Sequence, residues 1–161
     1  MERKLTRRGA LKVMRGYAAI GLFDSKTEAN VGGVLRAASF YDASLVAVQG
    51  TRFKQYPTDV LKTWRHIPLV ETEDLLSVVP YECIPIAVEI VEVARSLESF
   101  PHPERAFYIF GPEDGSLPSS IIQRCQSVVS VPTQFSMNLA ATVNVVLYDR
   151  LAKQIRQAKV A

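Results

Sequence analysis

Along this chain, continuous apolar runs alternate with stretches of helical spacing. Tyr17-Ala18-Ala19-Ile20-Gly21-Leu22-Phe23 is an unbroken apolar run closed by Asp24-Ser25-Lys26, the pattern of a strand buried on both faces. From Asn30 the period changes. Val31, Val34, Leu35 and Ala38 fall at i, i+3, i+4 and i+7, which predicts a helix with Asn30 as its N-cap. Leu45–Val48 is the next strand, and Ile67–Val70 a short one moved toward a sheet edge by Pro68. Thr72 is expected to cap a short helix near Glu73–Val79. Ile84–Val91, Ala106–Phe110 and Val128–Val131 read as strands, Ser119–Gln126 as a short helix, and Met137 to about Gln157 as a long terminal helix. Residues 50–66 are polar and aromatic without a period, which predicts a long loop. Strands alternating with helices at this spacing give an α/β fold, a mostly parallel sheet covered by helices on both faces.

Composition narrows the class. With 161 residues, 48% of them hydrophobic, the chain makes one domain with a substantial core, residues 17–161, preceded by a basic arm, residues 1–16. The net charge of +3 is mild, but Arg3, Lys4, Arg7, Arg8, Lys12 and Arg15 crowd the first fifteen residues against Glu2 alone. Arg150, Lys153, Arg156 and Lys159 form a second basic group at the end. An anionic partner fits this distribution. Cys83 and Cys125 are the only cysteines and His66 and His102 the only histidines, without CxxC or Cys/His spacing. No metal site is expected, and the thiols read as buried and free in a reducing compartment. The basic start lacks the following apolar run of a signal peptide, and no run is long enough to span a membrane, so a soluble cytoplasmic protein is expected.

Three segments carry candidate chemistry. In Asn30-Val31-Gly32-Gly33-Val34-Leu35-Arg36, glycines and free amides at a helix start suit an anion, and Arg36 lies about 140° around the helix from Val31. From that segment alone a capped helix with a surface arginine is the stronger reading. Phe110-Gly111-Pro112-Glu113-Asp114-Gly115-Ser116-Leu117-Pro118 places two glycines and two prolines after a strand, which specifies one particular loop. Its carboxylates suit ribose hydroxyls or an acidic lead into a helix. In Val131-Pro132-Thr133-Gln134-Phe135-Ser136-Met137-Asn138-Leu139 a tight turn opens the last helix, where Ser136 and Asn138 read as caps. No histidine lies near Ser136 to activate it.

Taken in order, NxGxxxR, FGPExGxLP and P-x(3)-SMNL resemble the SpoU (TrmH) branch of the SPOUT RNA methyltransferases, over about Tyr17 to Arg156. The resemblance implies a C-terminal deep trefoil knot, S-adenosyl-L-methionine as cofactor, and 2′-O-ribose methylation of tRNA or rRNA. It also implies a homodimer packed through the first and last helices. By position it assigns the cofactor pocket to Val88, Glu89, Phe110, Gly111, Pro112, Glu113, Val131, Pro132, Ser136, Met137 and Asn138. It assigns catalytic positions to Asn30, Arg36, Glu113, Ser136 and Asn138.

This chain departs from the family where only Thr133-Gln134-Phe135 separates Pro132 from Ser136. Members often carry a longer loop there, so the adenine side of the pocket is expected to be reshaped. The basic arm, with Arg52, Lys54, Lys62 and Arg65 in the long loop, suits phosphates, and Phe53, Tyr56 and Trp64 could stack on unpaired bases or pack inward. Rival readings are a nucleotide-binding oxidoreductase or phosphotransferase, a noncatalytic RNA-binding or assembly protein on the same fold, and an RNA base methyltransferase. The first is disfavoured because neither GxGxxG nor GxxxxGK[ST] is present.

Overall fold

The computed structural model describes residues 16–52 and 65–160. The basic arm and most of the predicted long loop, including Phe53, Lys54, Tyr56, Lys62 and Trp64, lie outside them. Among the described residues seven strands form one sheet: β1 (Tyr17–Ser25), β2 (Leu45–Thr51), β3 (Leu69–Glu71), β4 (Ile84–Val88), β5 (Arg95–Ser96), β6 (Arg105–Phe110) and β7 (Ser127–Ser130). Their order is β3-β2-β1-β6-β4-β7-β5, and every pair is parallel. The last strand in sequence is therefore inserted between two earlier ones. Three α-helices among the described residues accompany the strands: α1 (Glu28–Phe40), α2 (Ser119–Ile122) and α3 (Leu139–Val160).

Period-two alternation divides the core between the two faces of the sheet. Ile20, Leu22, Ile86, Tyr108 and Phe110 point to one face and pack on Val31, Val34 and Leu35 of α1 and on Val143, Val146 and Leu147 of α3. Ala19, Ala87, Phe107 and Ile109 point to the other, toward Leu75 in a 3-10 turn and Ile121 of α2. Each large side chain so buried contributes about 1.5–3 kcal/mol. α1 and α3 run in the same direction: Gly33 meets Ala140, and the Tyr41 and Tyr148 rings meet edge-on at 6.5 Å.

Local chemistry moves several predicted boundaries. Thr27, not Asn30, caps α1, accepting the Asn30 amide at 3.4 Å. Asp74, not Thr72, caps the 3-10 turn Leu75–Val78, while the Thr72 hydroxyl accepts the Asp74 amide. β4 stops at Val88: the Glu89 amide still reaches Val129 O at 3.0 Å, but the Ile90 amide turns onto the Glu89 carboxylate at 2.8 Å. α2 is cut to one turn, since the Gln126 amide donates to Pro85 O of β4 at 2.9 Å. α3 begins at Leu139 and continues to Val160. The two-residue β5 has no apolar period and escaped the sequence reading.

Two members of the terminal basic group, Arg150 and Lys153, are tied inward, while Arg156 and Lys159 are exposed. Arg150 is buried and donates to Pro103 O and Glu104 O at 2.6 and 2.7 Å. Gly16, at φ +119°, lets β1 begin directly over Glu104 O and the Arg150 guanidinium, where a Cβ would lie 2.2 and 2.9 Å away. Lys153 donates to Leu97 O and Phe100 O and pairs with Asp149 at 2.6 Å. Asp149 also bonds His102 Nε2 at 2.8 Å, and His102 Nδ1 meets the Tyr108 hydroxyl at 2.7 Å. The later half of α3 is thus tied to the connection between β5 and β6, Arg150 at its end beside the start of β6.

Burial pushes the His102 imidazole below its ordinary range, against the opposing pull of Asp149. The unfolded chain then binds more protons than the native one as pH falls through about 6.5, so native stability falls with it. Thermal unfolding between pH 7 and 5.5 should show a falling Tm, and a His102→Gln variant a flatter one. Identical slopes would exclude His102 as the source.

Candidate functional site

The C-terminal ends of the parallel strands are where α/β folds place ligands, and the three segments meet there. β1 runs out at Ser25, α1 starts two residues after Lys26, β6 hands over at Phe110, and α3 starts at Leu139. Because Thr27 takes the capping role, the Asn30 side chain is released for longer reach. Asn30 Nδ2 donates to Glu113 Oε1, and Asn30 Oδ1 accepts from Asn138 Nδ2 at 2.9 Å. Asn138 is the cap of α3, its Oδ1 accepting the Ala141 amide at 3.2 Å. One hydrogen-bonded line therefore joins all three segments.

Glu113 is the most heavily engaged member. Besides Asn30 it accepts the Lys26 amide at 2.9 Å and the buried Ser25 hydroxyl at 3.3 Å. Asp114 turns the other way and takes both terminal nitrogens of Arg52, at 3.0 and 2.6 Å. The Arg52 guanidinium beside it holds the Asp114 carboxyl at about 2. Both carboxylates therefore already have partners within the chain. Arg52, read as a phosphate contact, is engaged with Asp114 and Asp24.

Beside this line lies a cavity of about 540 Å³. Of the predicted pocket residues, Val88, Glu89, Phe110, Gly111, Pro112, Glu113, Val131, Ser136 and Met137 line it. Pro132 and Asn138 do not line it. Glu89 shapes the wall, accepting the Leu117 amide at 2.7 Å and so closing the base of the 111–118 loop. The sequence reading missed Ile90, Thr133, Leu139 and Thr142, which also line the cavity. Leu139 and Thr142 are separated by three residues at the start of α3, a spacing that puts them on one face and could have signalled them.

The remaining predicted side chains are exposed. Arg36 projects from α1 to solvent and makes no hydrogen bond or ion pair with another described residue. Ser136 is exposed and does not cap α3. Among the described residues no group of three or more His, Cys, Asp or Glu could hold a metal ion, and no helix is long and apolar enough to cross a membrane. Burial raises both thiols, Cys125 to about 11, so neither is an activated nucleophile.

The juncture of α1 and α3 sets how well Asn30 and Asn138 register. A Cβ on Gly33 would lie 2.7 Å from the Ala140 methyl group. Helix propensity alone would favour alanine at position 33 by about 1 kcal/mol. The overlap should reverse that sign, and Gly33→Ala should lose about 1–3 kcal/mol in urea unfolding. A stabilised variant would mean that the helices part at no cost. Asn30→Asp should cost more than Asn30→Gln in the same assay, because a carboxylate cannot donate to Glu113.

Among solved structures, the chain is similar to a SpoU methyltransferase, AviRb, from Streptomyces viridochromogenes (TM-score 0.78, 16% identity, covering 91% of this chain and 63% of that one). It is also similar to a TrmH/SpoU tRNA modifying enzyme from A. aeolicus (TM-score 0.79, 11% identity, 94% and 82%). A third similar chain comes from a structure concerned with 2-OH methylation of C/U34 on tRNA (TM-score 0.73, 21% identity, 88% and 92%). An AdoMet-bound rRNA methyltransferase from Sinorhizobium meliloti matches at TM-score 0.73 and 17% identity, over 87% of this chain and 58% of that one. The chain thus spans about three fifths of AviRb and of the S. meliloti enzyme. No curated protein matches the sequence. The model of the SpoU rRNA Methylase family matches residues 18–148, from the second residue of β1 to the middle of α3, and the chain belongs to that family.

Proposed function

We propose that this chain transfers a methyl group from S-adenosyl-L-methionine to a ribose 2′-hydroxyl of tRNA or rRNA. One observation carries the reading: the line Glu113–Asn30–Asn138 stands beside a cavity of small-ligand size at the C-terminal edge of a parallel sheet. The cavity suits the cofactor chemically. Val88, Val131 and Leu139 offer apolar surface for a purine, and Thr133, Ser136 and Thr142 offer hydroxyls for the ribose and the amino acid tail. The bound AdoMet of the AviRb and S. meliloti structures supports the same choice.

When bound, the sulfonium supplies an electrophilic methyl group. The chain's own part is to orient a poor nucleophile and manage its charge. Holding the hydroxyl in a near-attack position contributes up to about 7–11 kcal/mol. Arg36, exposed and without a described partner, grips the phosphate next to the target ribose and stabilises developing alkoxide charge. A guanidinium with a pKa above about 12 is a poor base, so proton loss is assisted by the phosphate it holds. Glu113, engaged by Ser25, Lys26 and Asn30, braces the loop and is not assigned as the base. Asn30 and Asn138 fix the relation between α1, which carries Arg36, and the cofactor wall. Ser136, exposed at the cavity, meets the substrate or cofactor directly.

Single-turnover transfer of tritiated methyl to RNA should fall about 10²–10³-fold in Arg36→Ala, as for loss of one charge-stabilising donor. S-adenosylhomocysteine affinity should stay unchanged. A near-wild-type rate at saturating RNA would remove Arg36 from the mechanism. Nuclease digestion of the labelled product separates a 2′-O-methylated dinucleotide from a methylated base, and no incorporation would favour a binding or assembly role.

A homodimer belongs to the same proposal. Val145, Tyr148 and Ile155 leave an apolar row exposed on α3, and Phe40 at the end of α1 is more than half exposed. A second copy of the chain packing across these helices would cover it. Sedimentation should show a dimer that Tyr148→Glu converts to monomer, and an unchanged sedimentation coefficient would place any interface elsewhere.

A further inference from the structure

The two acidic residues of the second segment are held by separate grips. Glu113 belongs to the Asn30 line. Asp114 belongs to a second arrangement built on the turn after β1. Arg52, just past the end of β2, is itself anchored there: its amide donates to Ser25 O at 3.1 Å and Nη2 donates to Asp24 O at 3.2 Å. Its Nε lies 3.5 Å from Asp24 Oδ2. Asp24 adopts a left-handed φ of 49°, uncommon for a residue with a side chain, and its carbonyl and carboxylate both face the guanidinium. The fork so anchored receives Asp114 through both oxygens, and Lys26 Nζ stands 3.5 Å from the same carboxylate.

The 111–118 loop is consequently fastened at three places. Glu89 holds Leu117 at its base, Glu113 is held in its middle, and Asp114 is held at its outer edge. Between the Asp114 and Leu117 fastenings lie Gly115 and Ser116, exposed residues that line the cavity. No described side chain other than Arg52 and Lys26 holds that outer stretch.

We infer that Arg52 is a positioning residue for the methyl-donor cavity, its bidentate clasp on Asp114 holding the 114–116 wall in the shape that binds the cofactor. The inference rests on reading the cavity as the S-adenosylmethionine site. The clasp acts through Asp114 and does not touch the reacting atoms. Its members are substantially exposed, with 37% of the Arg52 and 43% of the Asp114 side chain open to solvent. Such a pair adds little to global stability. Its effect is local, on a wall with few other fastenings. The bidentate geometry is specific to arginine, whose planar fork matches a carboxylate as an ammonium does not.

The test is binding of S-adenosylhomocysteine by calorimetry to the full chain. Arg52→Ala and Asp114→Asn should each raise Kd about fivefold, the scale of one exposed bidentate pair. The double variant should be no worse than either single one, because the two changes remove the same contact. Arg52→Lys should recover only part of the loss. The KM for the donor should rise in Arg52→Ala while kcat at saturating donor stays within about twofold and Tm within about 2 °C. Raising the salt should weaken wild-type binding toward the Arg52→Ala value and leave that variant nearly unmoved. Unchanged Kd in Arg52→Ala, or additive losses in the double variant, would overturn the clasp while leaving the site reading intact. Failure of the wild-type chain to bind S-adenosylhomocysteine would overturn the site reading, and the clasp with it.

Discussion

Asn30 is the side chain on which the arrangement of the site turns. A carboxamide offers a donor and an acceptor about 2 Å apart, and here the donor faces Glu113 while the acceptor faces Asn138. The line has a direction. The Ala141 amide at the N-terminus of α3 donates to Asn138, Asn138 donates to Asn30, and Asn30 donates to a carboxylate. Each donor is therefore polarised by the next acceptor, and the positive end of the α3 dipole is relayed to the Glu113 charge. Aspartate at position 30 would oppose Glu113, and an apolar residue would leave both neighbours unmet. The partners are 83 and 108 residues away in sequence, so this one amide fixes the relative placement of three segments that share no local structure.

How much of this was legible follows from which interactions are local. Every strand but β5, and both long helices, were legible because burial on two faces leaves unbroken apolar runs, and burial on one helix face leaves a 3.6-residue period. The segments carrying Asn30, Glu113 and Asn138 were legible as a set, and most of the predicted pocket residues do line the cavity. The capping residue of α1 was misplaced because Thr27 and Asn30 are both good caps three residues apart. Only the pull of Glu113 and Asn138 on Asn30 decides between them. The length of α2 was misjudged for a similar reason, since β4 takes the Gln126 amide that would have continued the helix.

Charge was read least well. Arg150 and Lys153 looked like part of a basic tail, and Arg52 like part of a basic loop. Each instead serves as an internal tie whose partners are invisible in one dimension. Backbone carbonyls at Pro103, Glu104, Leu97 and Phe100 carry no sequence signature as acceptors. A buried guanidinium that meets two of them satisfies donors and acceptors together, which is why Arg150 tolerates burial without a carboxylate.

These ties also define how α3 connects the two ends of the sheet. Its first turn is fixed at the C-terminal edge through Asn138 and Asn30, where the cavity lies. Three turns later Arg150 fixes it at the N-terminal edge through the Pro103 and Glu104 carbonyls, and Asp149 and Lys153 add His102 and the Leu97 and Phe100 carbonyls of the connection leading there. A helix pinned at both places cannot slide without breaking one set of bonds. Gly33 against Ala140 removes the remaining lateral slack by bringing the two helices into backbone-close contact. The outward side of this pinned segment is where Val145 and Tyr148 are exposed. Whatever covers that side bears on a rigid element whose first turn supplies Asn138, Leu139 and Thr142 to the site, so packing on α3 and the shape of the cavity are mechanically one problem.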